Sequence, residues 1–438
     1  MKKCLIYGYG VSGKSAEVLC RKLGYDVYIF DDDKKVYFQD IKKRLTFDSA
    51  IDMASEFSLV VTSPTISKDN YLIKYFKDKN ITVVSEFELA YRNLKGDNIT
   101  ITGTNGKTTT VELLTHILKN ACLDARAVGN NGVGFAKEVC DMDKSSIAVV
   151  EASSFQLDDI DMYNSKIAIL LNIDFDHMEY HKTMKNYINA KLNIFKNQTE
   201  NDKAVLNYDN DIVMENVKNI RSNIYYFSRK KRVKGSYLVG DNIFFSHGNV
   251  EEYITNTKEI SIKGEHNIEN ALACITVAKL LNIPNSMIEK SLKSFEISKY
   301  RIELVHNIGG KKYFNDSKST NSASTLSACN AMEGLTVLLM GGYDKGLSYR
   351  DLFDRLPLKV NTVIAYGANR ESIINDTKGL CALTVIRAND LDEAIKIASK
   401  VECDNVLFSP GSSSFDMFTD YKMRGEYFNL KVKELACE

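Results

Sequence analysis

Three consecutive α/β domains are what this sequence predicts, and three observations predict them. Its 438 residues exceed what one ordinary core serves, and domains of roughly 100–200 residues divide such a chain into two to four. A strand, a glycine-rich turn and a helix follow one another twice, at the start of the chain and again near residue 100. From residue 302 onward, apolar strand-like runs alternate with helical periodicity, the pattern of a parallel sheet with crossover helices. The expected borders are 1–94, 95–297 and 298–438, the last two joined beyond Pro284, which ends a helical run.

In the first segment, residues 3–8 read as a strand, Gly8-Tyr-Gly-Val-Ser-Gly13 as a turn, Lys14 to Leu23 as a helix and Asp26 to Asp31 as the next strand. A G-x-G-x-x-G turn with acids at Asp31 to Asp33, about 20 positions on, makes a Rossmann-like unit. Alone it fits NAD. Its physics is close backbone approach to phosphate and a carboxylate reaching a ribose or base, so a UDP-sugar fits equally. Ser58–Thr62 and Ile81–Val84 read as further parallel strands.

The second segment opens on the strand Ile99 to Thr102, the turn Gly103-Thr-Asn-Gly-Lys-Thr108 and an amphipathic helix over Val111–Leu118. A glycine-rich turn feeding a helix N-terminus aims backbone N–H groups and the positive dipole end at one spot, which suits phosphate. Lys107 can reach the terminal phosphates and the Thr108 hydroxyl can bind Mg²⁺. Ile101 stands where the full G-x-x-x-x-G-K-[ST] pattern has its first Gly. This is read as an ATP loop in a P-loop ATPase-like domain. Ser146–Glu151 is an apolar strand ending in a carboxylate, where such folds hold Mg²⁺. Lys166–Asn172 is another strand. His177 and His181 have the spacing of a zinc pair on a helix, but no third nitrogen or sulfur ligand lies nearby. Residues 183–196 make a helix carrying Lys191, which alone reads as an ordinary surface lysine. Short alternating stretches over 201–262 predict a small added antiparallel sheet, and Asn267–Leu281 a strongly amphipathic helix.

The third segment predicts strands at 302–306, 311–315, 335–340, 361–366, 383–386 and 404–408, with helices near 321–331, 348–356, 390–400 and 416–434. It is a second Rossmann-like α/β domain. Composition narrows the function. Lys+Arg and Asp+Glu both number 57, so no overall field draws nucleic acid or an anionic membrane. No apolar run nears the roughly 20 residues of a membrane helix, and the start reads as a first strand, not a signal peptide. Nine cysteines without a CxxC pair, Cys4, Cys122, Cys274 and Cys381 in apolar surroundings, are expected to be reduced core residues of a cytoplasmic protein.

Several stretches together resemble the Mur ligases. They are Thr102–Thr108, Gly129-Asn-Asn-Gly132, Glu151-Ala-Ser-Ser-Phe-Gln156, Asp176-His177, Lys191, His266-Asn-Ile-Glu-Asn270 and Arg301-Ile-Glu303. Asn315-Asp-Ser-Lys-Ser-Thr-Asn321, Gly341-Gly-Tyr-Asp-Lys-Gly346 and Ser409-Pro-Gly-Ser-Ser-Ser-Phe-Asp416 continue the likeness over nearly the whole chain. The first and last of these three resemble the member that adds D-glutamate. Three positions depart from the family's usual residues: Tyr300 for His, Thr65 for Gly and Tyr421 for Phe.

The resemblance implies an ATP-dependent ligase of peptidoglycan precursor synthesis, working through an acyl phosphate on UDP-N-acetylmuramoyl-L-alanine and D-glutamate. It implies Gly103, Thr104, Asn105, Gly106, Lys107, Thr108 and Thr109 on ATP, with Asn270, Arg301 and Asp316 on its nucleoside side. One Mg²⁺ would sit on Thr108 and Glu151, a second on His177 and a carbamylated Lys191; Lys107, His177 and Lys191 are the catalytic candidates. Ser12, Gly13, Asp31 and Asp32 would take the uridine nucleotide, and Asn130, Asn131, Ser153 and Gln156 the muramoyl part. A dianionic D-glutamate needs cations and hydroxyl donors, and Lys318, Thr320, Lys345, Ser413 and Ser414 supply them after predicted strands. Tyr421 would pack on its methylenes. A monomer without nucleic-acid or membrane partners is expected. Alternatives stay open: another Mur-type ligase, a folylpolyglutamate-type ligase, which lacks a UDP-binding first domain, and an NAD(P)-dependent oxidoreductase, which leaves the ATP loop unexplained.

Overall fold

The computed structural model describes residues 2–32, 43–64, 66–67, 69–130, 133–296, 300–344, 346, 348–380 and 383–437. Two compact units divide the chain. One comprises Met1–Ser261 with Asn267–Phe295, the other Ile262–His266 with Glu296–Glu438. Among the described residues no helix is long and apolar enough to cross a membrane.

The first unit carries two sheets. Strands β1 (Lys3–Tyr7), β2 (Asp26–Phe30), β3 (Phe57–Thr62) and β4 (Thr82–Ser85) form an all-parallel sheet in the order β2-β1-β3-β4. Residues 4–7 are all buried, as expected of a strand covered on both faces. The helix after the glycine turn begins at Val11, three residues before the expected Lys14, because Gly10 already serves as its N-cap.

The second sheet is built from β5 (Asp97–Thr102), β6 (Ala125–Gly129), β7 (Ile147–Glu151), β8 (Ile167–Leu170), β9 (Lys203–Asn207), β10 (Asn223–Ser228), β11 (Gly235–Val239), β12 (Asn242–Ser246) and β13 (Glu251–Asn256). Its order is β13-β12-β11-β10-β9-β8-β5-β7-β6. This corrects the expectation that the whole stretch 201–262 adds an antiparallel sheet to the parallel one. Strands β9, β10 and β11 extend the sheet in parallel, and only the β11–β12 and β12–β13 pairs at its edge are antiparallel. The predicted amphipathic helix is Glu265–Leu280, and it is buried on nearly every side from Asn267 to Leu280. A helix covered all round has no polar stripe to display, which is why its small-residue run Ala271-Leu-Ala-Cys-Ile275 resists periodic reading. The Glu86–Asn93 helix ties the two sheets together. Glu86 Oε1 accepts from Ser15 Oγ (2.9 Å) and Ala136 N (2.7 Å), and Glu88 accepts from the backbone of Asp161, Met162 and Tyr163.

The second unit holds β14 (Glu303–Ile308), β15 (Lys311–Asn315), β16 (Thr336–Gly341), β17 (Val360–Tyr366), β18 (Thr384–Arg387) and β19 (Asn405–Phe408), in the order β14-β15-β19-β16-β17-β18. All pairs are parallel except the β14–β15 hairpin at one edge. The Arg370–Asp376 helix was not predicted, and the last helix begins at Tyr421 rather than 416 because Asp420 caps it. Cys4 and Cys274 are buried as expected, whereas Cys122 is exposed; Cys381 lies outside the described residues.

Candidate active site

At the carboxyl end of β5 the chain turns through Gly103 to Gly106 and enters the Lys107–Asn120 helix. Gly106 has φ +84°, the left-handed region, and a Cβ there would lie 2.4 Å from Asn270 Oδ1. Glycine is thus required twice, by conformation and by space. Asn172 holds the turn from beside it. Its Oδ1 accepts from Asn105 N (2.9 Å), its Nδ2 donates to Asn105 O (3.2 Å), and its carbonyl accepts from Thr104 N (3.0 Å). Thr104 Oγ1 accepts from Asp174 N (2.9 Å) and meets Tyr187 Oη at 3.0 Å. Lys107 folds over the loop, its Nζ donating to Gly103 O and Thr104 O, both at 2.8 Å. Thr108 and Thr109 are buried in the helix's first turn.

Parallel pairing brings further groups to the same sheet edge. Glu151 lies opposite Ile101 on β5 and opposite Gly129 on β6. It is 2% exposed; Oε1 accepts from Asn130 Nδ2 (3.1 Å), but Oε2 is buried without a partner. An orphaned carboxylate oxygen at this depth fits a hard cation. Gly129 has φ +100°, and a Cβ there would meet Glu151 O at 2.3 Å. His177 is left-handed at φ 56°, its Nε2 3.6 Å from Asp176 Oδ2 and its ring 4.9 Å from that of Phe155. His181 turns away: it is buried, Nε2 2.9 Å from Ser154 Oγ.

Lys191 overturns its surface reading. It is 1% exposed, its Nζ donates to Gly103 O at 2.8 Å, and the ammonium sits 4.7 Å over the Tyr187 ring. Two lysines, 107 and 191, therefore share one carbonyl oxygen. Burial, and then the charge of Lys107, hold the Lys191 amine well below the usual lysine range. Among the described residues no three His, Cys, Asp or Glu side chains converge as a metal cage.

On the first sheet, Gly8 has φ +87° and a Cβ on Gly13 would lie 2.1 Å from Gly8 O, which keeps the turn tight. Nothing lies within 4 Å of a Cβ placed on Gly10, so the helix N-terminus with Ser12 is open to a ligand. The two acids divide their work. Asp31 Oδ2 accepts from Tyr9 N (2.5 Å) inside the turn, and Asp32 Oδ2 accepts from Tyr7 Oη (2.8 Å), which also accepts from Asn70 Nδ2 (3.0 Å). Ser153 and Gln156 form a capping box on the Ser154–Asp158 helix, so both polar groups already have partners.

In the second unit Arg301 stands between two residues of left-handed backbone, Tyr300 (φ 68°) and Ile302 (φ 50°). A β-branched residue in that region is strained, and strain of this kind collects at functional sites. Arg301 Nε is buried without a partner. Asp316 lies fully buried, Oδ2 accepting from Ser409 Oγ (2.7 Å) and Oδ1 from Ile302 N (3.3 Å). Burial pushes its carboxyl up to about 6 against the pull of Arg301. Lys318 Nζ lies 5.7 Å from the Tyr421 ring centre, Tyr421 O accepts from Ser317 Oγ (2.8 Å), and Ser413 O accepts from Tyr343 N (2.9 Å). Thr320 is partly and Ser414 fully buried. The carboxyl ends of β15, β16 and β19 thus gather Lys318, Thr320, Ser413 and Ser414 at one sheet edge, with the first turn of the Tyr421–Leu435 helix beside them. Asn131, Thr65 and Lys345 lie outside the described residues.

Residues 101–278 match the model of the Mur ligase middle domain. The chain is 35% identical over 99% of its length to a UDP-N-acetylmuramoylalanine–D-glutamate ligase of Alkaliphilus oremlandii, covering 98% of that protein. It is 36% identical over 99% of its length to one of Thermoanaerobacter pseudethanolicus, again covering 98%. The chain belongs to the Mur ligase family, among the UDP-N-acetylmuramoylalanine–D-glutamate ligases. Solved structures share the mixed α/β fold. A pseudomurein peptide ligase type C from Methanothermus fervidus aligns with TM-score 0.63 at 16% identity, over 99% of this chain and 100% of that one. A UDP-N-acetylmuramate–alanine ligase from Thermotoga maritima aligns with TM-score 0.61 at 16% identity, over 99% of each chain.

In this Mur ligase Lys107 and Lys191 both reach Gly103 O, and Glu151 lies on the neighbouring strand β7 opposite Ile101. Sequence reading missed Asn172 and Tyr187, the loop's two side-chain supports. Asn172 had a visible signal, an amide at the end of a buried strand; Tyr187 had none.

Proposed function

We propose that this chain adds D-glutamate to UDP-N-acetylmuramoyl-L-alanine with ATP, in three domains. Residues 1–94 bind the UDP substrate, 95–297 bind ATP, and 298–438 bind D-glutamate. ATP's γ-phosphoryl passes to the substrate carboxylate, giving an acyl phosphate and ADP. The D-glutamate amine then attacks the acyl carbon, and phosphate leaves as the amide forms. Most of the catalytic work is positioning and neutralising charge on the transferring group. Lys107 leaves the Gly103 and Thr104 carbonyls for the phosphates, and the loop N–H groups hold them. Asn270, whose side chain faces Gly106, belongs to the ATP set with Arg301 and Asp316, the orphaned Arg301 Nε answering an anion.

Thr108 and Glu151 would hold one Mg²⁺ and His177 and Lys191 a second, which would supply charge neutralisation at the phosphoryl oxygens. A bare ammonium would repel it. Lys191 Nζ instead adds CO₂ and loses a proton, becoming a carbamate, which removes its repulsion from Lys107 and supplies oxygen ligands. Ser12, Gly13 and the Asp31–Asp32 edge hold the uridine nucleotide; Asn130, Asn131, Ser153 and Gln156 lie toward the muramoyl part. Lys318, Thr320, Lys345, Ser413, Ser414 and Tyr421 hold D-glutamate. The enzyme works as a cytoplasmic monomer.

The observation that carries this reading is the carboxyl edge of the central sheet. There a phosphate loop, an orphaned buried carboxylate oxygen and a buried lysine share one corner, in a chain aligned end to end with D-glutamate ligases. The test is ADP release with ATP, Mg²⁺, UDP-N-acetylmuramoyl-L-alanine and D-glutamate, each omitted in turn. ADP should appear only with the full set. Release that continues at full rate without D-glutamate, or that accepts L-alanine in its place, would overturn the assignment.

A further inference from the structure

In the second unit Arg424 is the largest side chain with no exposure at all. A guanidinium stays charged, and burying one is costly unless a carboxylate answers it. Arg424 has no such answer. Its Nε donates to Ser317 Oγ (3.1 Å), Nη2 to Ser317 O (2.8 Å) and Nη1 to Ser412 O (2.9 Å), and it forms no ion pair among the described residues. Burial works against its charge, while Tyr366 and then Asp416 and Asp316 favour it without forming an ion pair with it.

Its neighbours give it a role. Ser317 lies beside Lys318 in the turn after β15, and Ser412 lies beside Ser413 in the turn after β19. Gly342, in the turn after β16, has φ +150°, and a Cβ there would lie 3.1 Å from Arg424 Nη1. Three residues before Arg424 on its own helix stands Tyr421, whose carbonyl is bound by Ser317 Oγ. One guanidinium therefore packs against three strand-end turns and the first helical turn of the proposed amino-acid pocket. A neutral network already braces the same turns. Asn369 Oδ1 accepts from Gly342 N (2.8 Å), Asn369 Nδ2 donates to Ser412 Oγ (2.7 Å), and Tyr349 Oη meets Ser412 Oγ at 2.8 Å. Bracing alone does not need a second, charged device.

We propose that Arg424 is a positioning residue of the amino-acid pocket, whose buried positive charge, in ion-pair contact with no carboxylate, selects a dicarboxylate while its three hydrogen bonds fix the turns that touch it. The inference rests on reading this unit as the D-glutamate site. Opposite charges attract strongly where water is excluded, so a cation just behind the pocket wall favours a dianion without touching it.

The test compares wild type, Arg424→Met, Arg424→Lys and Tyr349→Phe by steady-state ADP release, with KM for D-glutamate, ATP and UDP-N-acetylmuramoyl-L-alanine measured separately. Arg424→Met should raise the D-glutamate KM at least about tenfold, roughly 1.4 kcal/mol, with the other two KM values within about twofold. Arg424→Lys should recover most of that loss, and Tyr349→Phe, which loosens the same turns without removing charge, should move the D-glutamate KM less than about threefold. A D-glutamate KM unchanged in Arg424→Met, or three KM values rising together, overturns the proposal. Should Arg424→Met not fold, Arg424→Lys decides. A selective rise of under about tenfold in the D-glutamate KM supports the proposal, and a uniform rise in all three refutes it. Wild-type turnover that ignores D-glutamate would instead remove the functional reading itself.

Discussion

Replacing Gly106 with Ala tests the loop geometry directly. The backbone there is left-handed at φ +84°, which for a residue with a Cβ costs about 1–2 kcal/mol. The added methyl would stand 2.4 Å from Asn270 Oδ1 and 3.3 Å from Leu171 Cδ1. Asn270 cannot swing away cheaply: it is 3% exposed and its Nδ2 donates to Asn267 Oδ1 at 3.3 Å. Overpacking of this kind adds about 1–3 kcal/mol. The sum, roughly 2–5 kcal/mol, corresponds to a melting point lower by about 10 °C for a body of this size. The clash share should vanish when its partner is removed. In thermal unfolding without ligands, Gly106→Ala combined with Asn270→Ala should therefore be more stable than the two single losses summed, by about 1–3 kcal/mol. Losses that add within about 0.5 kcal/mol would refute the contact.

Three further outcomes are expected. Lys191→Ala should leave the protein folded but nearly inactive and partly rescued by a short carboxylic acid, while mass spectrometry or ¹³C NMR of wild type under ¹³CO₂ shows a labelled carbamate; a bare amine in active, Mg²⁺-loaded enzyme would contradict it. UDP should protect against melting and NADH should not, because the open helix terminus after Gly10 meets a uridine nucleotide in a ligase with no hydride to move; the reverse ranking would return the oxidoreductase. Asp316 gives a pH signature. Burial pushes its carboxyl up to about 6 from an ordinary value of 3.8, so the folded state binds more protons in that window and stability falls as pH rises through it. The penalty above pH 6 is about 3 kcal/mol, so Asp316→Asn should gain stability over wild type at pH 7.5 but not at pH 4, with a pH-independent difference in urea midpoints counting against the reasoning.

What the sequence disclosed followed physical rules that act locally. The turn at Gly103–Gly106 was legible because a left-handed glycine before a helix and a lysine at its start are demanded by the loop itself. The parallel character of β1–β4 followed from both-faced burial, which writes unbroken apolar runs such as Leu59-Val-Val61. The direction of β9 to β11 was not legible. Short alternating stretches look alike whether they pair parallel or antiparallel, since alternation records one-sided burial and not chain direction. Likewise, no local pattern records that the Glu265–Leu280 helix is covered on nearly every side from Asn267 onward.

Depth was the quantity most poorly written in the sequence, and it matters most at two cations. Lys191 and Arg424 each sit on a helix with polar neighbours, Asn189 and Asn193 around one, Lys422 and Glu426 around the other; Lys191 reads as a surface residue, and nothing in the sequence singles out Arg424. Each is in fact buried, each bonds backbone carbonyls, and neither has a carboxylate partner among the described residues. An unanswered buried cation destabilises the empty fold, because its hydration is lost and no opposite charge replaces it. Such a group persists where something arriving later completes it. At Lys191 the completion we propose is chemical: CO₂ would turn the amine into an anion beside Lys107. At Arg424 it is electrostatic, a dicarboxylate drawn to the other side of the turns it braces. The two sites thus make opposite demands on the same substitution. A neutral isostere at Lys191 removes the metal ligand and should abolish turnover at any substrate concentration, whereas at Arg424 it should leave kcat recoverable with enough D-glutamate.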